Sequence, residues 1–184
     1  MRTRRGSTLK RVITLSLMVV NVVFWVPILL VVALAKLIIP LAAWRRWTSA
    51  LMIWIAQAWI SCNGAIFGLM GALRLEVEGV AGLDPRGWYL VLSNHRSWVD
   101  ILVLQQAFNR RIPFLKFFLK QELIWVPVIG LAWWALDFPF MKRGRGHGAR
   151  HSDLKTTREA CEKFKRIPTT VINFVEGTRF TPAK

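Results

Sequence analysis

Trp88-Tyr89-Leu90-Val91-Leu92-Ser93-Asn94-His95-Arg96-Ser97-Trp98-Val99-Asp100 joins a short apolar run to a polar turn and then to the start of an apolar helix. The run Trp88–Leu92 is continuously apolar, as in a strand buried on both faces, and a helix from about Trp98 to Phe108 follows the turn. The same alternation continues along the chain. Upstream, Arg74 to Val80 alternates in polarity and predicts a half-buried strand, followed by a Gly/Pro/Asp loop at 79–87. Downstream, Ile112–Phe118 and Phe138–Met141 are strand candidates. Between them, Leu123–Leu136 is an uncharged stretch of fourteen residues, too short to span a bilayer, and reads as a buried or membrane-touching helix broken at Pro127. Lys142–Arg150 is a basic glycine-rich loop. Ser152 is a candidate cap for a helix whose Leu154, Thr157, Cys161 and Phe164 share one face, and Thr169–Val175 is the last strand. Strands alternating with helices predict an α/β fold.

The charge divides the chain at residue 73. Of 26 Lys/Arg and 10 Asp/Glu in 184 residues, the first 73 hold eight of the bases and none of the acids. A hydrophobic content of 54 % excludes a disordered protein, and two cysteines, Cys62 and Cys161, exclude a disulfide-stapled secreted domain. Apolar character combined with a net charge of +16 points to nucleic acid or to an anionic membrane surface. Val12–Ala35 is 24 residues without a charge, about 36 Å as a helix against a hydrocarbon core of about 30 Å. A second uncharged run, Thr48–Leu73, follows a link that contains Trp44-Arg45-Arg46-Trp47, residue types suited to the headgroup layer. Three readings fit: two spanning helices, a hairpin that enters one leaflet and returns, or a signal peptide cleaved at Ala33-Leu34-Ala35. The apolar run is longer than a signal peptide's usual core. Both anchored readings put the N-terminus and the globular segment on one side, and five Lys/Arg in the first eleven residues make that side cytoplasmic.

Two places in the globular segment carry chemistry, both at strand ends, where α/β sheets bind ligands. His95 lies in a strand-to-helix turn and Asp100 in the first helical turn, so the carboxylate reaches one imidazole nitrogen. That contact fixes the tautomer, stabilises the imidazolium and leaves the other nitrogen as a base. The arrangement is a base and its orienter without an adjacent protein nucleophile, so the nucleophile would be a hydroxyl of the substrate. Glu176-Gly177-Thr178-Arg179 turns at the end of the last strand, where an arginine fork suits phosphate. Taken alone, the first motif reads more readily as a turn histidine with a capping aspartate, and the second as an ordinary turn with a solvated arginine.

Together, Asn94-His95-x4-Asp100 and Glu176-Gly177-Thr178-Arg179 resemble the glycerophospholipid acyltransferase family, which includes the lysophosphatidic acid acyltransferases. Phe140-Met141-Lys142-Arg143 and Lys120-Gln121-Glu122-Leu123, with Pro127 and Gly130 after it, are similar as well. Phe174–Thr181 and Pro139–Arg143 look most like the lysocardiolipin-type and bacterial inner-membrane branch. The resemblance covers about Trp88 to Lys184. It implies a helical membrane anchor over 1–73 and an acyltransferase domain over 74–184. It further implies transfer of a fatty acyl group from acyl-CoA or acyl carrier protein to the free hydroxyl of a lysophospholipid, at the cytoplasmic face of an inner membrane. His95 would be the general base, oriented by Asp100. Arg179 with Arg143 would bind the glycerol phosphate, and Glu176, Gly177, Thr178 and Asn94 would shape the acceptor pocket. No metal or cofactor beyond the acyl co-substrate is implied. The family has a further apolar, proline-containing motif well after the third. This chain ends five residues after Arg179, so the domain is expected to be incomplete at its C-terminus.

His147 and His151 are four apart but lack a neighbouring Glu and lie among glycines, so they do not predict a zinc pair. Gly144-x-Gly146-x-Gly148 does not fit a dinucleotide fingerprint. Cys161 is expected in the core. Two other functions compete: a membrane-anchored module that binds anionic lipid without chemistry, and nucleic-acid binding, against which half the charge flanks apolar helices and no recognition motif appears.

Overall fold

The computed structural model describes residues 2–71, 73, 75–142, 147–165 and 167–175. Two compact units emerge, Met1–Glu78 and Gly79–Lys184. The first is a hairpin of two helices, α1 (Arg2–Ile38) and α2 (Ala42–Met70). Both are long and apolar enough to cross a membrane. The Trp44-Arg45-Arg46-Trp47 segment is not a link, as its sequence suggests, but lies within the first turns of α2. Packing explains the longer helix: Trp44 Nε1 donates to the Ala35 carbonyl at 3.0 Å, so the tryptophan satisfies a backbone acceptor near the end of α1. Gly71 closes α2 in the left-handed region (φ 59°), where a side chain would be strained.

Val19, Val20, Val23, Val31 and Leu34 point outward from the hairpin, while Met52, Ile55, Ile60 and Phe67 are buried within it. The buried seam also holds a polar pair. Asn21 Nδ2 donates to Asn63 Oδ1 at 2.8 Å and to the Trp59 carbonyl at 3.1 Å. In an apolar surround such a contact ties helices in one register. Replacing Asn21 with leucine is therefore expected to weaken the hairpin by about 0.5–2 kcal/mol, read as a lower midpoint in detergent-mediated unfolding. An unchanged midpoint would mean that side-chain packing alone holds the pair.

The second unit is α/β, as its sequence predicts. Strands β1 (Tyr89–Ser93), β5 (Thr170–Phe174) and β2 (Leu115–Phe117) form a parallel sheet in the order β1-β5-β2. A second parallel pair joins β3 (Leu119–Lys120) to β4 (Phe140–Met141). Helices α3 (Val99–Phe108), α4 (Ile129–Ala135) and α5 (His147–Phe164) connect them. β5 is the central strand, and Thr170 and Ile172 on it are fully enclosed. With Phe114, Leu115, Phe117 and Phe138 they form the described core, each large apolar side chain contributing about 1.5–3 kcal/mol by leaving water.

Several expectations are corrected. Residues 75–80 form no strand: Leu75 and Val77 are half-buried and Glu76 and Glu78 exposed, as the alternation predicts, but no described strand is laddered to them. Alternation supplies a face to bury, not a hydrogen-bonding partner. β1 is not buried on both faces, since Leu90 is 66 % and Leu92 59 % exposed. It is an edge strand of the described sheet, and the face of Tyr89, Val91 and Ser93 is the covered one. α5 starts at His147, so Ser152 lies inside it rather than capping it. Among the described side chains of α5, Ala160 and Phe164 are buried, whereas Leu154 and Cys161 are exposed. Cys161 is thus not in the core.

The 123–136 stretch breaks at Pro127, into a 3₁₀ turn (Gln121–Trp125) and α4. Gly130 permits the pieces to nest, because a Cβ there would run into the Ile124 carbonyl.

Candidate active site

The parallel pairing of β1 with β5 places two chain exits side by side. Ser93 at the end of β1 is in register with Phe174 at the end of β5, and the Val175 N–H donates to the Ser93 carbonyl at 3.2 Å. From Ser93 the chain passes through the turn Asn94–Trp98 into α3. Asp100 occupies the first turn of α3, where an acidic group is favoured by the helix dipole.

This turn is organised around one carboxylate oxygen. Asp100 Oδ2 accepts from the Arg96 N–H at 2.6 Å, from the Ser97 N–H at 2.7 Å, and lies 3.2 Å from His95 Nδ1. Ser97 completes the entry to α3: its Oγ accepts from the Val99 N–H at 3.1 Å, and its carbonyl from the Asp100 N–H at 3.2 Å. Burial by itself would raise the Asp100 carboxyl, but the Ser97 and Arg96 N–H groups and then the His95 imidazole outweigh it and hold it below the ordinary carboxylate range. Asp100 is therefore ionised and accepts only, so Nδ1 of His95 carries the proton of their shared bond. In the neutral imidazole Nε2 then bears the lone pair. The side chains are 15 % (His95) and 26 % (Asp100) exposed, sheltered yet reachable. The pair can accept a proton at Nε2 and stabilise the resulting cation with a fixed negative charge.

The structure thus brings His95 and Asp100 together and sets Asn94, exposed, in the adjoining turn. Arg143, Glu176, Gly177, Thr178 and Arg179 lie outside the described residues. One neighbour is absent from the site as read along the chain: the Phe174 ring stacks on the imidazole with centroids 4.2 Å apart and planes at 22°. Its only trace in the sequence is an aromatic residue at the end of the last strand.

An open apolar groove of about 660 Å³ lies elsewhere in this unit, lined among others by Trp88, Leu90, Met141, Cys161 and Phe164. Alternation along the strands puts Leu90, Val171 and Asn173 on the sheet face opposite Phe174, and neither His95 nor Asp100 lines the groove.

Residues 74–184 match the family described as Acyltransferase. The 1-acyl-sn-glycerol-3-phosphate acyltransferase alpha of Mus musculus is 32% identical over 108 residues, 58% of this chain and 35% of the mouse protein. The 1-acyl-sn-glycerol-3-phosphate acyltransferase 3 of Arabidopsis thaliana is 30% identical over 138 residues, 72% of this chain and 33% of its own length. The chain spans about a third of the length of these curated relatives. The crystal structure of the 1-acyl-sn-glycerophosphate (LPA) acyltransferase PlsC from Thermotoga maritima superposes with a TM-score of 0.66 at 22% identity, covering 100% of this chain and 66% of that one. At that identity the likeness is one of fold.

Proposed function

We infer, from the premise that this chain belongs to the acyltransferase family, that it moves a fatty acyl group from an acyl thioester to the free hydroxyl of a lysophospholipid such as lysophosphatidic acid. The observation that supports this most is the His95–Asp100 pair, an oriented base whose carboxylate is locked by two backbone N–H groups. His95 Nε2 takes the proton of the acceptor hydroxyl while its oxygen attacks the thioester carbonyl. The tetrahedral adduct then collapses, expelling the thiolate, and the imidazolium returns its proton to the sulfur. One ester forms, one thioester breaks, and the base is regenerated. Asp100 stays charged throughout and stabilises the imidazolium. The thioester supplies the driving force, so the chemistry asks for no metal or further cofactor.

The remaining roles follow the family motifs. Arg179, with Arg143, holds the acceptor phosphate, and Asn94, Glu176, Gly177 and Thr178 shape the pocket. The donor is acyl-CoA or acyl carrier protein. The apolar hairpin anchors the chain in an inner membrane, and the basic residues at its start put the catalytic unit on the cytoplasmic side.

A thiol-release assay with acyl-CoA and acyl carrier protein against a panel of lysophospholipids tests the reading. Release that depends on the acceptor supports it. Tight binding to anionic vesicles with no release in any combination would instead mark a lipid-binding module.

The phosphate role gives a sharper expectation. Arg179→Ala should raise the acceptor KM about 10- to 150-fold, the equivalent of a lost charge-assisted bond of about 1.5–3 kcal/mol. Arg179→Lys should restore only part of it, because lysine keeps the charge but loses the two-pronged geometry. The donor KM should change little. Steady-state kinetics with each substrate varied separately checks this, and an unchanged acceptor KM and kcat would remove Arg179 from the site.

A further inference from the structure

We infer that Phe174 is a positioning residue that fixes the plane of the His95 imidazole and thereby aims Nε2 at the acceptor hydroxyl, a role that rests on the proposed acyl transfer. The contact to Asp100 pins one atom of the ring, Nδ1, at 3.2 Å. A contact at Nδ1 fixes one edge of the ring, and a tilt of the ring about that edge carries Nε2, on the opposite side, off its line. A flat surface against the ring removes that freedom. Phe174 provides it, with centroids 4.2 Å apart and planes inclined by 22°. Aromatic faces at this distance attract beyond their buried area, and an aromatic face also favours an adjacent imidazolium.

Phe174 is itself held. β5 registers it against Ser93 of β1, two residues before His95. Behind it Phe117 of β2 stacks at 6.3 Å and 17°, and Phe138 extends the stack at 6.3 Å and 8°. Phe138 meets Phe114 edge-on at 6.0 Å. Phe114, Phe117 and Phe138 are all buried, so the wall behind Phe174 belongs to the core and does not yield. Asp100 sets the angle of the imidazole within its plane, and Phe174 sets the plane. The two constraints come from different elements, α3 and β5, so packing of the sheet sets the aim of the base.

An ordinary core phenylalanine would tolerate an aliphatic residue of similar volume in the reaction. A positioning ring would not, since Leu and Met fill space without offering a flat face. Phe174→Tyr keeps the ring, and Phe174→Leu and Phe174→Met remove it. In the full chain, Phe174→Tyr is expected to stay within about threefold of wild-type kcat, and both aliphatic variants to lose about 10- to 100-fold in kcat with acceptor KM unchanged and the fold retained by circular dichroism. A readout independent of turnover accompanies this. With His147 and His151 replaced by glutamine, His95 is the sole histidine, and its ring protons should resonate upfield under the Phe174 ring current. The shift should persist in Phe174→Tyr and vanish in the aliphatic variants.

Near wild-type kcat in an aliphatic variant that folds would overturn the positioning role, as would an unmoved resonance. If one aliphatic variant fails to fold, the other carries the comparison. If the wild-type chain acylates no lysophospholipid, the proposed function fails, and the resonance alone decides whether Phe174 clamps the ring.

Discussion

His95→Ala in the full chain is expected to lower turnover by at least about 10³-fold, within the 10²–10⁴ that a positioned general base supplies. Without the imidazole the attacking hydroxyl must release its proton to water, and a neutral alcohol is a poor nucleophile towards a thioester. On the proposed roles the loss belongs in kcat, because His95 would act on the proton and Arg179 on the acceptor phosphate. His95 lies in the turn between β1 and α3, outside the strand ladder, so the sheet should be unaffected. Circular dichroism and extraction from membranes are the controls. Near-normal turnover would defeat the assignment of His95 as the base.

Asp100→Asn is expected to lose a comparable factor, about 10³–10⁴ in kcat. The amide keeps the shape and one oxygen to accept from the Arg96 and Ser97 N–H groups, so the turn should survive. What disappears is the negative charge that stabilises the imidazolium: the amide oxygen in the place of Oδ2 still faces Nδ1 but is neutral. Because the two residues act as a unit, His95→Ala with Asp100→Asn should be hardly slower than either single variant, and additive losses would show that they act independently. The lowered Asp100 carboxyl also gives a sign for acid sensitivity. Its stabilisation is fully present above the ordinary carboxylate pKa of about 3.9 and is lost as pH falls through the lower native value. Asp100→Asn should therefore flatten the loss of stability in strongly acidic solution, which acid titration by circular dichroism would detect.

What the sequence revealed tracks how local each feature is. His95 and Asp100 are five residues apart, and one turn of chain brings them together whatever the rest of the fold does, so their contact was legible. The break at Pro127 was legible for the same reason, since a missing N–H acts where it stands. Phe174 meets His95 only because β5 inserts between β1 and β2, a pairing that no local pattern announces. The exposure of Leu90 and Leu92 has the same origin: a continuous apolar run does not say whether its strand is central or at an edge. Residues 75–78 keep their alternation of exposure but join no described strand ladder. The start of α2 at Ala42 depended on packing and helix propagation rather than on charge or a cap residue.

The most direct measurement follows a labelled acyl chain to its product. The purified full chain would be given an acyl thioester with a deuterated acyl group and unlabelled 1-acyl-glycerol phosphate in vesicles, and the lipids resolved by mass spectrometry. The account predicts labelled phosphatidic acid formed one-for-one with released thiol, only when the acceptor is present, and at least about 10³-fold more slowly with His95→Ala. Thiol released without labelled diacyl product, or product formed equally well by His95→Ala, would contradict it.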